Sequence, residues 1–379
     1  MTETPQAVEP PQAPHQVTAD TPNFLRLPNS ESQAVPVRVG IILPFDNANS
    51  GTRSLAKAMM RAAELALYDS GNRNIILLTA EDTGAPGDAA AAAQKLLDEG
   101  AEVIVGPLFA ASVNAVAPLA RDRGVPVLAF STDRTVAGNG VYLLSFQPQS
   151  EVRRIVTYAA SQGRKKIGAL IPQTAYGDVV EQEFRGVAQE QGVSICAVAR
   201  FSPSAGALTD PAAAIAKADC NAVLVPQGGS LLRGISQTFA YSNIDTAKVK
   251  LLGTGLWYEP TAQRESLLTG AWFAAPQPST DDAFNAKFHQ TFGSEAPQLA
   301  SLAYDAVSLV ALLANGQPYH RFTVRALTDP NGFSGVSGIF RFRADGSIER
   351  GLAVLGVEPG GFTVVSPSPT TFQTAPAHS

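Results

Sequence analysis

Residues 101–130 read Ala-Glu-Val-Ile-Val-Gly-Pro-Leu-Phe-Ala-Ala-Ser-Val-Asn-Ala-Val-Ala-Pro-Leu-Ala-Arg-Asp-Arg-Gly-Val-Pro-Val-Leu-Ala-Phe. Val103-Ile104-Val105 is short and uniformly apolar, as a strand buried on both faces must be. Gly106-Pro107 breaks it. A helix is expected from about Ala111 to Arg123, and a second apolar strand over Val125–Phe130. A strand, a helix and a strand in so short a stretch predict a parallel sheet with helices on both faces.

Toward the N-terminus the pattern repeats. Val37-Arg38-Val39-Gly40-Ile41-Ile42-Leu43-Pro44 is an apolar strand, followed by a polar loop from Phe45 to Gly51. Ser54–Asp69 carries apolar residues at helical spacing. A strand at Asn74–Glu81 and an Ala-rich helix at Ala85–Glu99 complete a βαβαβαβ unit.

Toward the C-terminus the same order begins again. Strands are expected at Lys166–Ile171, Val193–Phe201, Asn221–Val225, Val249–Leu252 and Gly270–Ala274. Helices are expected at Tyr176–Gln191, Asp210–Lys217 and Leu231–Tyr241. A long helix follows over Pro297–Asn315. Gly338–Phe342 and Gly351–Val357 are expected to pair as a hairpin around Arg343-Ala344-Asp345-Gly346, since Asp-Gly is a strong turn signal. The fold class is therefore α/β, with two doubly wound parallel-sheet lobes. The length of 379 residues agrees, because one core rarely grows past about 250–300.

Residues 1–35 are polar and proline-rich and are expected to be a disordered tether, as are residues 366–379. Such a tail suits a chain that follows a secretion signal or lipid anchor; a cytoplasmic protein with a disordered tail is the alternative. No run of about 18 apolar residues occurs. The net charge of -5 offers no basic footprint for nucleic acid and no polybasic segment for a membrane. The four histidines, His15, His289, His320 and His378, are scattered, so no metal or other cofactor is expected. Cys196 and Cys220 lack metal-ligand spacing and are expected as two unpaired thiols rather than a disulfide. No nucleophile elbow, P-loop or HExxH motif is present, so an enzyme is not expected.

In open parallel sheets, ligands bind beyond the carboxyl ends of the strands. Those loops supply the candidate site. In the first unit they are Phe45, the helix start Ala110-Ala111-Ser112, and Ser131-Thr132-Asp133. Free backbone N–H groups and hydroxyls there suit an anionic or polar group. In the second unit they are Tyr176, Gln227 and Trp257, and the rings of Tyr176 and Trp257 could form an amphipathic wall. Taken singly, each serine is as readily a helix cap and each aspartate a turn residue.

The stretches VRVGIILPF, AEVIVGPLFAASVNAVAPLARDRGVPVLAFST, AYGDVVEQEF, LAYDAVSL and FSGVSGIFRFRADGSIERG resemble the leucine/isoleucine/valine-binding proteins of ABC importers. The resemblance spans roughly residues 37–365. It implies the type I periplasmic binding fold, in which two lobes joined by three hinge crossovers close on a small-molecule ligand and deliver it to an ABC transporter permease. Lobe 1 would be 37–146 plus 279–333, and lobe 2 would be 147–277 plus 334–365. The crossovers would lie near Phe146–Pro148, Pro276–Ser279 and Gly332–Gly335. The first lobe would bind first, and the second would complete the site. In amino-acid binders of the family a hydroxyl at the helix start grips the ligand carboxylate; Ala110 stands there. An acid that pairs with the ligand amine would lie near Gly255, yet no acid follows until Glu259. Tyr176 matches the family's tyrosine. The chain also resembles the binding-protein-like domain of lipoprotein activators of penicillin-binding proteins, through VIVGPLFAASV, ALIPQTAYGD, VYLLSFQPQSEV and DGSIERGLAV. That likeness implies a peptidoglycan synthase as partner instead. Both imply the periplasm.

Overall fold

A computed structural model describes residues 24–27, 35–203, 208–242 and 244–373 of the chain. They divide into two compact units. Unit 1 comprises the described parts of Met1–Leu144 with Pro297–Leu327 and Ala344–Ser347; unit 2 comprises Ser145–Ala296, Thr328–Arg343 and Ile348–Ser379.

Unit 1 runs β1 (Phe24–Leu25), β2 (Val37–Leu43), α1 (Ser50–Ser70), β3 (Ile75–Glu81), α2 (Pro86–Asp98), β4 (Val103–Val105), α3 (Ala110–Asp122), β5 (Val127–Ala129) and β6 (Val141–Leu143). Its sheet has the order β1-β3-β2-β4-β5-β6. All pairs are parallel except β1 with β3. Every residue of β2 is buried, because helices cover both faces. Ile42, Leu78 and Ile104 pack against Ala93 and Leu96 of α2 and Val116 of α3. Helix α1 starts at the side chain of Asn49, which accepts from Thr52 N at 3.1 Å, and stops at Gly71 in the left-handed region.

Unit 2 runs α4 (Pro148–Ser161), β7 (Lys166–Pro172), α5 (Ala175–Glu190), β8 (Ser194–Phe201), α6 (Thr209–Lys217), β9 (Ala222–Leu224), α7 (Gly229–Tyr241), β10 (Lys250–Gly253), α8 (Pro260–Arg264), β11 (Trp272–Ala275) and α9 (Pro278–Phe292). The chain then returns to unit 1 as α10 (Ala300–Leu313), which packs on α1. Unit 2 closes with β12 (Phe333–Gly335), β13 (Gly338–Phe342), β14 (Ile348–Arg350), β15 (Ala353–Glu358) and β16 (Gly361–Ser366). The parallel core β8-β7-β9-β10-β11 repeats the order β3-β2-β4-β5-β6 of unit 1. The two doubly wound α/β units expected from the alternation of strands and helices are present.

Four expectations are corrected. First, Cys196 and Cys220 are not free thiols: they form a disulfide, 5.6 Å apart at Cα. Sequence could not show this, because Cys196 on β8 and Cys220 before β9 lie on either side of β7. Gly168 of β7 gives the sulfurs room; a Cβ there would stand 2.9 Å from Cys220 Sγ and 3.3 Å from Cys196 Sγ. Second, β13 does not pair with 351–357. It pairs with β14, and β15 crosses to the main sheet antiparallel to β11. Third, α9 belongs to unit 2, so the second division falls at Ala296/Pro297 rather than at 277/279, and Ala344–Ser347 belongs to unit 1. Fourth, parts of the expected tails are ordered. Phe24–Leu25 pairs with Leu78 and Leu77 of β3. Ser368 N donates to Gln277 Oε1 at 3.1 Å, and Arg341 lies over the Phe372 ring at 4.6 Å. The rest of the expected tails, 1–23, 28–34 and 374–379, lies outside the described residues. Among the described residues no helix is long and apolar enough to cross a membrane, and no cluster of His, Cys, Asp or Glu could hold a metal ion.

Candidate functional site

The strand ends of unit 1 are built from three loops. Phe45, after β2, is half-buried. Its loop is fastened by Asn47 Nδ2, which donates to Thr83 O at 2.6 Å, and by Arg53 Nη1, which donates to Asn47 O at 2.6 Å. At the end of β3, Asp82 is fully buried. Its Oδ1 accepts from Gly84 N at 2.7 Å, and its Oδ2 has no partner among the described residues. Burial raises its carboxyl above the ordinary range, against the lowering effect of Gly84 N–H and Ser112. Ser112 is fully buried too and donates to Gly84 O at 3.4 Å. It belongs to the unit's interior, not to a ligand-facing surface. Ala110 is half-exposed and Ala111 exposed at the start of α3. Ser131 is buried; its Oγ accepts from Asp133 N at 3.1 Å. Thr132 and Asp133 are exposed, and Asp133 caps the turn that follows, accepting from Thr135 N at 2.9 Å. The structure thus leaves Phe45, Ala110, Ala111, Thr132 and Asp133 accessible and turns both serines to internal work.

Unit 2 differs. Trp257, expected as part of a wall, is fully buried in the core beside Phe273, and its Nε1 donates to Gln227 O at 3.0 Å. An indole reads as a wall or as a core residue with equal ease, and here the apolar interior takes it. Gln227 is half-buried and its Nε2 donates to Gly228 O at 3.2 Å. Tyr176, half-buried at the start of α5, shares a hydrogen bond of 3.0 Å with Thr254 Oγ1. Burial, with the nearby Glu151 carboxylate, pushes the Tyr176 phenol well above its ordinary range, so it stays neutral.

Glu151 is the residue that sequence reasoning missed. It lies in the first turn of α4 and is only 9% exposed. Its Oε2 accepts from Gly255 N at 3.0 Å. A Cβ on Gly255 would stand 2.7 Å from Glu151 Oε1, so a side chain there would push the carboxylate from its present place. Burial pushes its carboxyl up to about 7, partly offset by the Gly255 N–H. The one clue in the sequence was negative: the acid implied near Gly255 was missing. The structure brings a carboxylate to that spot from α4, 104 residues away along the chain.

Comparison with known proteins agrees with the fold. The family model described as periplasmic binding protein matches residues 36–361. No curated protein matches the chain. A structure assigned to a branched-chain amino acid ABC transporter of Rhodospirillum rubrum superposes with a TM-score of 0.78 at 18% identity, covering 87% of this chain and 100% of that one. A branched-chain amino acid ABC transporter periplasmic ligand-binding protein of Burkholderia xenovorans gives 0.71 at 18% identity, covering 88% and 96%. An ABC transporter solute-binding protein of R. palustris in complex with benzoate gives 0.61 at 18%, covering 88% and 97%. These relatives are binding proteins, not enzymes. None of them supports the reading as an activator of penicillin-binding proteins.

Proposed function

The chain belongs to the periplasmic binding protein family, and from that premise we propose that it is an extracytoplasmic receptor that captures a small polar ligand and delivers it to an ABC transporter permease. The observation that carries the reading is the polar group at the strand ends of unit 2. Tyr176, Thr254 and Glu151 converge there from α5, the end of β10 and α4. A neutral phenol and a buried carboxylate with one oxygen unbonded form a preorganised set of hydrogen-bonding groups in a mostly apolar surround, as small-molecule sites require. In unit 1, taken by itself, the loops at the strand ends leave Phe45, Ala110, Ala111 and Thr132 accessible. Asp133 and Gln227 are second-rank members, because each already serves its own loop. Binding stabilises the ligated conformation by contacts absent from the open one. The Cys196–Cys220 disulfide supports an oxidising compartment such as the periplasm.

The test is a thermal-shift screen of the protein against amino acids, amines and small organic acids, followed by calorimetry on the hits. A ligand that binds only the folded state raises the midpoint by mass action. Tyr176→Ala is expected to weaken the hit by about tenfold or more while leaving the unliganded midpoint within a few degrees. Unchanged affinity would remove Tyr176 from the site.

A further inference from the structure

Both units bury a carboxylate at their strand ends, Asp82 in unit 1 and Glu151 in unit 2. In unit 1 the hydroxyls of Ser112 and Ser131 are buried and engaged with Gly84 O and Asp133 N, Thr132 alone of the three is exposed, and Asp82 lies beside Ser112 in the first turn of α3, where negative charge would otherwise be attracted. A carboxylate near a helix N-terminus offsets its partial positive charge. In unit 2 Glu151 is nine-tenths buried, yet no lysine, arginine or histidine among the described residues pairs with it. Among the described residues its Oε1 has no hydrogen-bond partner; Oε2 is bonded, to Gly255 N. A buried carboxylate without a counter-charge is costly: it takes up a proton more readily, or it is relieved by a cation that pairs with it.

We propose that the ligand is a protonated amine without a carboxylate, held through its nitrogen by Glu151 Oε1 and the Tyr176 hydroxyl, and that zwitterionic amino acids and aromatic acids are discriminated against. This inference rests on the receptor reading above. The physical argument is one of differential cost. An ammonium group gives Glu151 the charge-assisted hydrogen bond it lacks. A ligand carboxylate finds no free cation in unit 2's cluster and meets the field of Glu151 instead, which costs affinity and so provides selectivity.

The groups around Glu151 leave its charge uncompensated on every side. On α4, Arg153 is paired with Glu183 and Glu190, and Arg154 donates to Leu352 O and Ser366 Oγ. On α5, Asp178 is paired with Arg200, Glu181 with Arg185 and Arg200, and the neutral Tyr176 lies near Glu151. On β10, Lys250 donates to Gly270 O. Strand β11 has no titratable side chain, and on β15 the one titratable residue, Glu358, is exposed at the strand's end.

The experiment uses three probes with one carbon skeleton: leucine, isoamylamine (leucine without its carboxylate) and isocaproate (leucine without its amine), with putrescine and benzoate beside them. Calorimetry at pH 8 on the intact chain is expected to show the amines binding about tenfold or more tighter than leucine, isocaproate or benzoate. Glu151→Gln is expected to erase that preference. Should that variant fold poorly, the wild-type protein gives the same answer: isoamylamine affinity should fall roughly tenfold from pH 8 to pH 6 as Glu151 takes up a proton. Tighter binding of leucine, isocaproate or benzoate would overturn the inference and leave the receptor reading intact. An amine preference that survives in Glu151→Gln, or shows no fall toward pH 6, would also overturn it. Binding of none of the five probes would count against both.

Discussion

Units 1 and 2 share one strand order and differ in almost everything placed on it. In unit 1 the strand-end carboxylate, Asp82, is sealed beneath Thr83-Gly84 and bonded to Gly84 N. In unit 2 the strand-end carboxylate, Glu151, reaches instead across the fold from α4 to a backbone N–H 104 residues away, at Gly255. The means of stabilisation differ as well. Unit 1 holds its base with a buried ion pair, Arg321 Nη1 to Glu102 Oε1 at 2.7 Å, both side chains 5% exposed. Unit 2 ties its edge strand β8 to the strand beyond β7 with a disulfide. The lesson is that topology fixes where a site and a weak edge will be. The residues at those places fix what the site binds and how the edge is held.

That contrast can be broken most sharply in unit 1. Glu102→Ala strands Arg321 and the nearby Arg38 as buried like charges and removes the acceptor of Tyr319 N. A loss of about 3–5 kcal/mol is expected, read as a large leftward move of unit 1's transition in urea, with unit 2's transition unmoved. A loss below 1 kcal/mol would mean that the pair contributes no more than a surface bridge. Next in size, Cys196→Ser with Cys220→Ser should lower the stability of unit 2 by about 3 kcal/mol, since the bridge closes a loop of 24 residues. Reductant should do the same to the wild-type protein and nothing to unit 1. A reductant-insensitive unit 2 would refute the division of labour.

The smallest of the three effects concerns pH. Glu151 has a folded-state value of about 7 against an ordinary 4.5. The folded state therefore holds the proton more tightly than the unfolded chain. Stability from this group is fully present below pH 4.5 and declines as pH rises from there to 7, by up to about 3 kcal/mol. Glu151→Gln keeps an acceptor for Gly255 N and cannot ionise. It should flatten that slope and make unit 2 more stable than wild type at pH 8 without ligand. Thermal midpoints measured from pH 5 to 8 decide it; parallel curves for the two proteins would show that Glu151 is already neutral or already paired.

Much of the molecule was legible before any coordinates. Uniformly apolar runs such as Val103–Val105 and the amphipathic helices between them carry a local, periodic signal, and they specified parallel sheets in two lobes. The place of Tyr176 was legible too: it was expected just past a strand, and it lies at the start of α5 after β7. The errors share one cause. Trp257, Ser112 and Ser131 were correctly placed on strand-end loops, but a side chain's direction depends on what packs around it, and burial turned all three inward. The hairpin expected across Asp345-Gly346 has its turn, yet its second strand is β14, because β15 finds a better partner in the apolar edge of β11.

The order of the main elements and the number of units were thus determined by the sequence alone, because each follows from hydrophobic period over a few neighbouring residues. The disulfide across Gly168, the ion pair between residues 102 and 321 and the carboxylate of Glu151 against Gly255 were decided only by tertiary structure. Each joins groups far apart in the chain, and each depends on a glycine's missing Cβ or on exclusion of water, which no local pattern records.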